Sequence, residues 1–323
     1  MPMSDPVFSA VLTCFNTGAY LRDGLASALR EQALCAAAGV AVEVIVVDDH
    51  SSDAATLALL QELQADSAVH LLRLAHNHGV SGARNAGAAT ARGQWLAFLD
   101  GDDAWTAGTL LAHLQAIHQR PDLAWFASDH QRMDAQGVVI AGSQRRNHEV
   151  SALIGGVGPD SALQVLQRPV HAALSEFLCH VNACVVRSSA FDAVGGFNTA
   201  LRSAEDHDLW LRLAEHHDLG YVGRVGALYR TNANSITTTT RMPHPHLPLV
   251  YWHAQARLEA NGQDALAQFA GQRFRQTVLE NIYHCRKHRL FGLARQQAVL
   301  LLRHAPWQAS GWKHWLAATL RQD

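Results

Sequence analysis

Three short acidic clusters stand where apolar runs end or helices begin, positions at which a side chain can reach a ligand. Asp48-Asp49 follows the run Val42–Val47, Asp100-Gly-Asp102-Asp103 follows Trp-Leu-Ala-Phe-Leu, and Glu205-Asp206 opens an amphipathic stretch. At the first, a carboxylate can accept hydrogen bonds from a nucleoside base or ribose. Its alternative use is as a helix cap, a duty that Ser52 or Asp53 could perform instead. At the second, carboxylates so close together repel and stay ionised only if a cation or water screens them. Oxygen-only ligands suit Mg²⁺ or Mn²⁺, ions that also bridge diphosphates, although a plain surface turn has the same composition. Gly101 gives that turn backbone freedom. At the third, acids in a first helical turn are often no more than a complement to the helix dipole. Beside two clusters suited to a diphosphate, they supply the general base that those clusters lack.

Positioning these groups requires strands that end together. Val7–Phe15 reads as a buried strand, and a polar turn then leads to a helix from about Tyr20. Val42–Val47 is an almost continuous β-branched run, as in parallel strands covered on both faces. Helices around 54–64, 81–91 and 109–119 alternate with strands at 69–74, 95–99 and 123–127, so repeated β-α-β units predict a parallel sheet between helices. The pattern weakens from 134 to 170, apart from a hairpin turn at Gln136-Gly137, and strand character returns at His180–Arg187 before a helix at 205–216. Thr231–Pro248, with four consecutive threonines and three prolines, reads as a linker or lid. Residues 249–323 are helical in pattern, punctuated by Gly262, Gly292 and Pro306.

The whole chain has 323 residues, 48% of them hydrophobic, which is enough for a large buried core. Only 17% are charged and the net charge is −2, so no global basic field exists to hold a nucleic acid. The five cysteines are scattered with no C-x-x-C pair, which points to neither a zinc ribbon nor a disulfide scaffold. Cys14 and Cys184 lie inside apolar strands as core thiols, and Ser or Cys nucleophiles lack motivation. The polar start shows no secretory signal, and no apolar run approaches the roughly 20 residues of a membrane span. A cytoplasmic protein is expected.

Four stretches together, SAVLTCFNTGAYL, VEVIVVDDHSSD, NHGVSGARNAGAATARGQWLAFLDGDDAW and GGFNTALRSAEDHDLWLRLA, resemble the family 2 inverting nucleotide-sugar glycosyltransferases over about residues 7–230. The resemblance implies a GT-A fold: an α/β domain with a mixed, mostly parallel sheet between helices, here followed by a C-terminal helical appendage. It implies a catalytic domain over 1–230, with a nucleotide-sugar half to about 128 and an acceptor half from 129. By position, Thr13 and Phe15 match residues near a uracil base, Asp49 with Asp48 beside it matches the carboxylate that reads the base, and Arg84 matches a basic position near the nucleotide. Asp100 and Asp102 match a D-x-D pair, the first near ribose and the second on Mg²⁺ or Mn²⁺, with both as metal candidates. Asp206 matches the catalytic base, with Glu205 as its partner. The implied reaction is metal-dependent, inverting transfer of one sugar, from a donor expected to be a UDP-sugar, to a glycan or lipid-linked acceptor in bacterial surface glycan synthesis. Family members that polymerise processively carry Q-x-x-R-W and membrane helices, and neither is found here.

The remaining signals are weaker. Most of the 20 histidines, including His76, His78, His113, His118, His216 and His217, read as solvated or packed side chains. His244 and His246 could close over a diphosphate or reach a metal, or simply belong to a solvated linker. Trp312, Trp315, Leu316 and Leu320 share one face of a final helix, with Trp307 just before it. That face suits either the inner membrane surface or packing, including packing against a second copy. Two other classes remain: a nucleotidyltransferase, which would carry a Gly-rich basic loop after the first strand, and a non-catalytic nucleotide-sugar-binding scaffold.

Overall fold

The computed structural model describes residues 7–141, 161–231, 245–306 and 311–315. The chain divides into two compact units, Met1–Asn232 and Ala233–Asp323. Residues 232–244 of the Thr/Pro-rich stretch, 142–160 of the excursion, and Trp307, Leu316 and Leu320 lie outside the described residues.

In the first unit, β1 (Phe8–Cys14), β2 (Val42–Asp48), β3 (Val69–Arg73) and β4 (Trp95–Asp100) are parallel in the order β3-β2-β1-β4. β1 and β2 are buried almost throughout, because helices cover both faces of the sheet. The crossovers are α1 (Tyr20–Ala37), α2 (Ala54–Leu63) and α3 (Gly79–Thr90). Next come the two-residue β5 (Ala104–Trp105), α4 (Thr109–Gln119) and the hairpin β6 (Trp125–Met133)–β7 (Val139–Ala141), with Gly137 at φ +83° in its turn. β8 (Ser161–Leu166), α5 (Val170–Ser175), β9 (Cys184–Arg187), α6 (Ser188–Ala193), α7 (Glu205–Ala214) and β10 (Leu219–Arg230) complete the unit. β9 runs antiparallel between β4 and β6, which makes the sheet mixed.

Several elements differ from the expectation. β6 continues to Met133, residues 181–183 form a 3-10 turn that leaves β9 only four residues long, β8 lies inside the excursion, and α5 begins where it ends. β10, twelve residues long and paired in parallel with β6, is not foreseen at all. Its glycines hide it from any propensity reading. A Cβ at Gly220 would stand 2.3 Å from the Phe126 ring and one at Gly226 would stand 2.2 Å from Ser128 Oγ, so the partner strand's side chains fill those places.

The second unit contains α8 (Leu247–Ala260), α9 (Asp264–Lys287) and α10 (Phe291–His304). Gly262 turns the chain at φ +69°, and the next turn falls at Arg289 (φ +58°) rather than at Gly292, which lies within α10. Val250, Leu258, Phe274, Val278, Ile282 and Leu301 are fully buried. Residues 311–315 are helical, with Trp312 exposed and Trp315 half-buried. No helix among the described residues is long and apolar enough to cross a membrane.

α3 sits on β1 and β2 through Gly87, where an added Cβ would lie 2.4 Å from Val11 Cγ1 and 2.9 Å from Val47 Cγ2. An exposed helical glycine replaced by alanine gains about 1 kcal/mol. At Gly87 overpacking reverses the sign, and Gly87→Ala is expected to destabilise the first unit by about 1–3 kcal/mol in urea unfolding. An unchanged or raised midpoint would contradict this packing.

Candidate active site

Strand register assembles the site at the carboxyl ends of β1, β2 and β4, the edge where open α/β sheets bind ligands. Thr13 pairs across with Asp100, and Cys14 with Asp48. Thr13 is buried, with its hydroxyl 3.5 Å from Asp100 Oδ1, and Phe15 just beyond the strand is 51% exposed. Asp48 turns inward: Oδ1 accepts the Ser51 N–H at 2.9 Å and Oδ2 meets Arg73 Nε at 3.2 Å. Its carboxylate therefore shapes the loop instead of facing a ligand. Asp49 Oδ1 accepts the His78 N–H at 2.7 Å. Burial raises the Asp49 pKa, and the backbone N–H groups of His78 and Gly79 only partly offset this. Helix capping falls to Asp53, which accepts from Thr56 N at 2.9 Å.

Arg84, which the resemblance matches to a basic position near the nucleotide, is drawn inward to Asp100 at the end of β4. It is 2% exposed and bridges two of the acidic clusters. Nη2 donates to Asp100 Oδ1 at 2.6 Å, Nη1 donates to Glu205 Oε1 at 2.8 Å, and the guanidinium carbon lies 5.2 Å from the Phe197 ring centre. Burial opposes its charge, but Asp100 and then Glu205 outweigh that effect and hold it firmly protonated. The next residue, Asn85, donates to Phe197 O at 2.8 Å and accepts from Phe197 N at 2.9 Å. Adjacent residues of α3 thus fix the loop that leads into α7.

In the Asp100–Asp103 turn, Gly101 is needed for close approach rather than for a left-handed backbone. Its N–H donates to Thr13 O at 2.8 Å, and a Cβ would come within 2.8 Å of that same oxygen. Asp100 and Asp102 are half-buried, whereas Asp103 points into the protein. The Asp103 carboxylate accepts from the Asn182 amide and, at 2.6 Å, from the Arg230 backbone N–H. Burial, then the charges of Asp102 and Asp100, raise its pKa. Asn182 Oδ1 also accepts the Asp100 N–H at 3.0 Å. Asn182 and Arg230 carry no sequence signal, because neither belongs to an acidic cluster or other local motif.

Asp206 lies in the first turn of α7, after Ala204 in the left-handed region at φ +59°, an uncommon conformation for a residue with a Cβ. Its pKa is pushed up to about 8, first by burial and then by Glu205; Arg84 and the His207 N–H pull the other way, and Asp100 adds a smaller upward push. A half-buried carboxylate titrating near neutrality has the affinity expected of a general base. The histidines outside this cluster are mostly packed or surface groups. His113 is buried against Thr109 O, and burial lowers its pKa to about 4. His76 and His78 stack at 4.1 Å, and His246 precedes α8. His180, near Asp100 and Arg84, is kept neutral by burial, which lowers its pKa to about 4. All five cysteines are buried and free, and burial raises the Cys14 thiol.

Asp206 also sets a sign for stability. Its folded pKa of about 8 exceeds the unfolded value of about 3.9, so the folded state holds the extra proton between them and stability falls as pH rises through that window. Asp206→Asn removes this contribution, and its melting temperature is expected to fall less between pH 5 and pH 8.5 than that of the unaltered protein. Identical pH dependence would contradict the raised pKa.

Residues 9–143 match the profile described as Glycosyl transferase family 2. The succinoglycan biosynthesis protein ExoO of Rhizobium meliloti is 43% identical over 98 residues, covering 30% of this chain and 26% of that protein. TuaG of Bacillus subtilis, a glycosyltransferase assigned to teichuronic acid biosynthesis, is 31% identical over 115 residues, covering 36% of this chain and 43% of its own. The chain therefore spans less than half the length of these two relatives. Among solved structures, S. aureus TarS 1–349 in complex with UDP-GlcNAc aligns with a TM-score of 0.63 at 16% identity, covering 96% of this chain and 79% of that one. The chain thus has the fold of the GT-A glycosyltransferases, and its match to family 2 over residues 9–143 takes in the Asp48-Asp49 and Asp100–Asp103 motifs.

Proposed function

We propose that the chain is a glycosyltransferase that moves one sugar from a nucleotide-sugar to a hydroxyl acceptor, with inversion, in the synthesis of a surface polysaccharide. The observation that carries this reading is the half-buried Asp206, with a pKa of about 8, joined through Glu205, Arg84 and Asp100 to the nucleotide end of the sheet. The match to family 2, and relatives named for succinoglycan and teichuronic acid biosynthesis, support the reaction class and the setting. TarS, crystallised with UDP-GlcNAc and with UDP, supports a UDP-sugar as donor.

In this reading Asp49 accepts a hydrogen bond from the base, exposed Phe15 offers it a stacking face, and Thr13 packs beneath. Asp206 takes the proton of the acceptor hydroxyl, whose oxygen attacks the anomeric carbon from the face opposite the leaving diphosphate. The bond to that phosphate oxygen breaks, and the configuration inverts. Glu205, held by Arg84, keeps negative charge beside Asp206 and so maintains its basicity.

The donor set fits a divalent cation shared with the substrate. Asp102 and Asp100 offer hard oxygen donors at a half-buried turn at the carboxyl end of β4. No group of three metal-ligating side chains forms among the described residues, and Mg²⁺ is commonly held by one or two carboxylates with substrate phosphates completing the shell. Asp102, with Asp100 beside it, would hold Mg²⁺ or Mn²⁺. Bound there, the ion would neutralise charge developing on the leaving nucleoside diphosphate.

Asp206→Asn is expected to keep nucleotide binding while losing sugar transfer by at least about 100-fold, the scale of a general base. A thermal-shift series with UDP, GDP, CDP and dTDP, with and without Mn²⁺, identifies the nucleotide, since a ligand at about 100 times its Kd stabilises by about 2.7 kcal/mol. No shift with any of them would overturn the nucleotide-sugar reading, and undiminished transfer by Asp206→Asn would remove the base from the scheme.

A further inference from the structure

Arg230, the last residue of β10, is 1% exposed, and every arm of its guanidinium is engaged. Nε donates to the backbone oxygen of Asp102 at 2.7 Å. Nη1 donates to the oxygens of Asp134 and Ala135 in the β6–β7 turn, at 3.3 and 3.1 Å. Nη2 donates to Asp23 Oδ2 on α1 at 2.8 Å, and the guanidinium carbon stands 4.7 Å from the Tyr20 ring centre. One buried side chain therefore ties the Asp100–Asp103 turn to α1, to the β6–β7 hairpin and to the end of β10. The backbone N–H of the same residue independently holds Asp103 Oδ1.

We propose that Arg230 is the positioning residue of the donor-binding turn. By gripping the carbonyl of Asp102, it fixes the direction of that residue's carboxylate and sets the affinity for the nucleoside diphosphate without touching the ligand. The inference rests on the transferase reading of Asp102. A planar fork is needed, because a lysine ammonium is a single point charge and cannot serve the Asp102 carbonyl, the hairpin carbonyls and Asp23 from one place. Supports of this kind, one layer behind a metal-binding side chain, typically change affinity by about 10- to 100-fold when removed. The backbone bond to Asp103 survives substitution, so side-chain variants leave it in place while removing the fork's contacts to Asp102, the hairpin and Asp23.

The test is calorimetric titration of the full chain with UDP, in Mn²⁺ and in EDTA, at a temperature well below each variant's melting point. Arg230→Lys and Arg230→Gln are expected to weaken binding in Mn²⁺ by about 10- to 100-fold, with a smaller loss in EDTA. Asp23→Asn removes only the exposed arm of the clamp and is expected to bind nearly as well as the unaltered protein. If Arg230→Gln does not fold, Arg230→Lys decides alone. A purely structural role would lower the melting temperature and leave the dissociation constant unchanged, and that result in a folded variant overturns the proposal. If the unaltered protein binds UDP and the variants match it, this inference alone fails. If the unaltered protein binds none of UDP, GDP, CDP or dTDP, the transferase reading fails and the inference fails with it.

Discussion

A guanidinium almost without water is stable only where carboxylates surround it, and the first unit meets that condition at Arg84. Asp100 at the end of β4 and Glu205 at the start of α7 each take one of its nitrogens. The strand that would carry the donor and the helix that would carry the base are therefore held by one charge. Taking away one partner of a buried ion pair costs about 3–5 kcal/mol, because the other charge remains buried. The rest of the architecture serves this arrangement. Gly87 lets α3 lie close on the sheet, Asn85 locks the loop before α7, and Gly101 lets the acidic turn close against β1.

A division of labour among neighbouring acids follows. Asp48 and Asp103 face inward and are spent on holding loops, through Ser51 and Arg73 in one case and through Asn182 and Arg230 in the other. Asp102 stays half-buried beside Asp103. Glu205 is likewise consumed by Arg84, and its neighbour Asp206 is the one whose pKa rises. In each pair one acid holds the surrounding chain, and in the proposed scheme the other carries the chemistry. Successive residues leave an extended chain on opposite sides, and on a helix they diverge by about 100°.

Composition and chain order make the parallel strands and the acidic edge legible in the sequence. β-branched runs gave the parallel strands, and the acids following them marked the sheet edge where ligands bind. Three things were hidden. β10 carries glycines because Phe126 and Ser128 occupy the space where its side chains would be, so it reads as coil. The inward turn of Arg84 depends on two acids, Asp100 and Glu205, the second of them 121 residues away. Asn182 and Arg230 act through hydrogen bonds to backbone and carboxylate groups distant in sequence, which leave no local pattern.

The proposed chemistry depends on Asp206 being basic near neutral pH, because burial and then the neighbouring Glu205 disfavour its charge. A carbon-13 NMR titration of the Asp206 side-chain carboxyl in the nucleotide-free protein measures this directly. The account predicts a midpoint near pH 8. A midpoint near 4, the ordinary range of an aspartate, would contradict it.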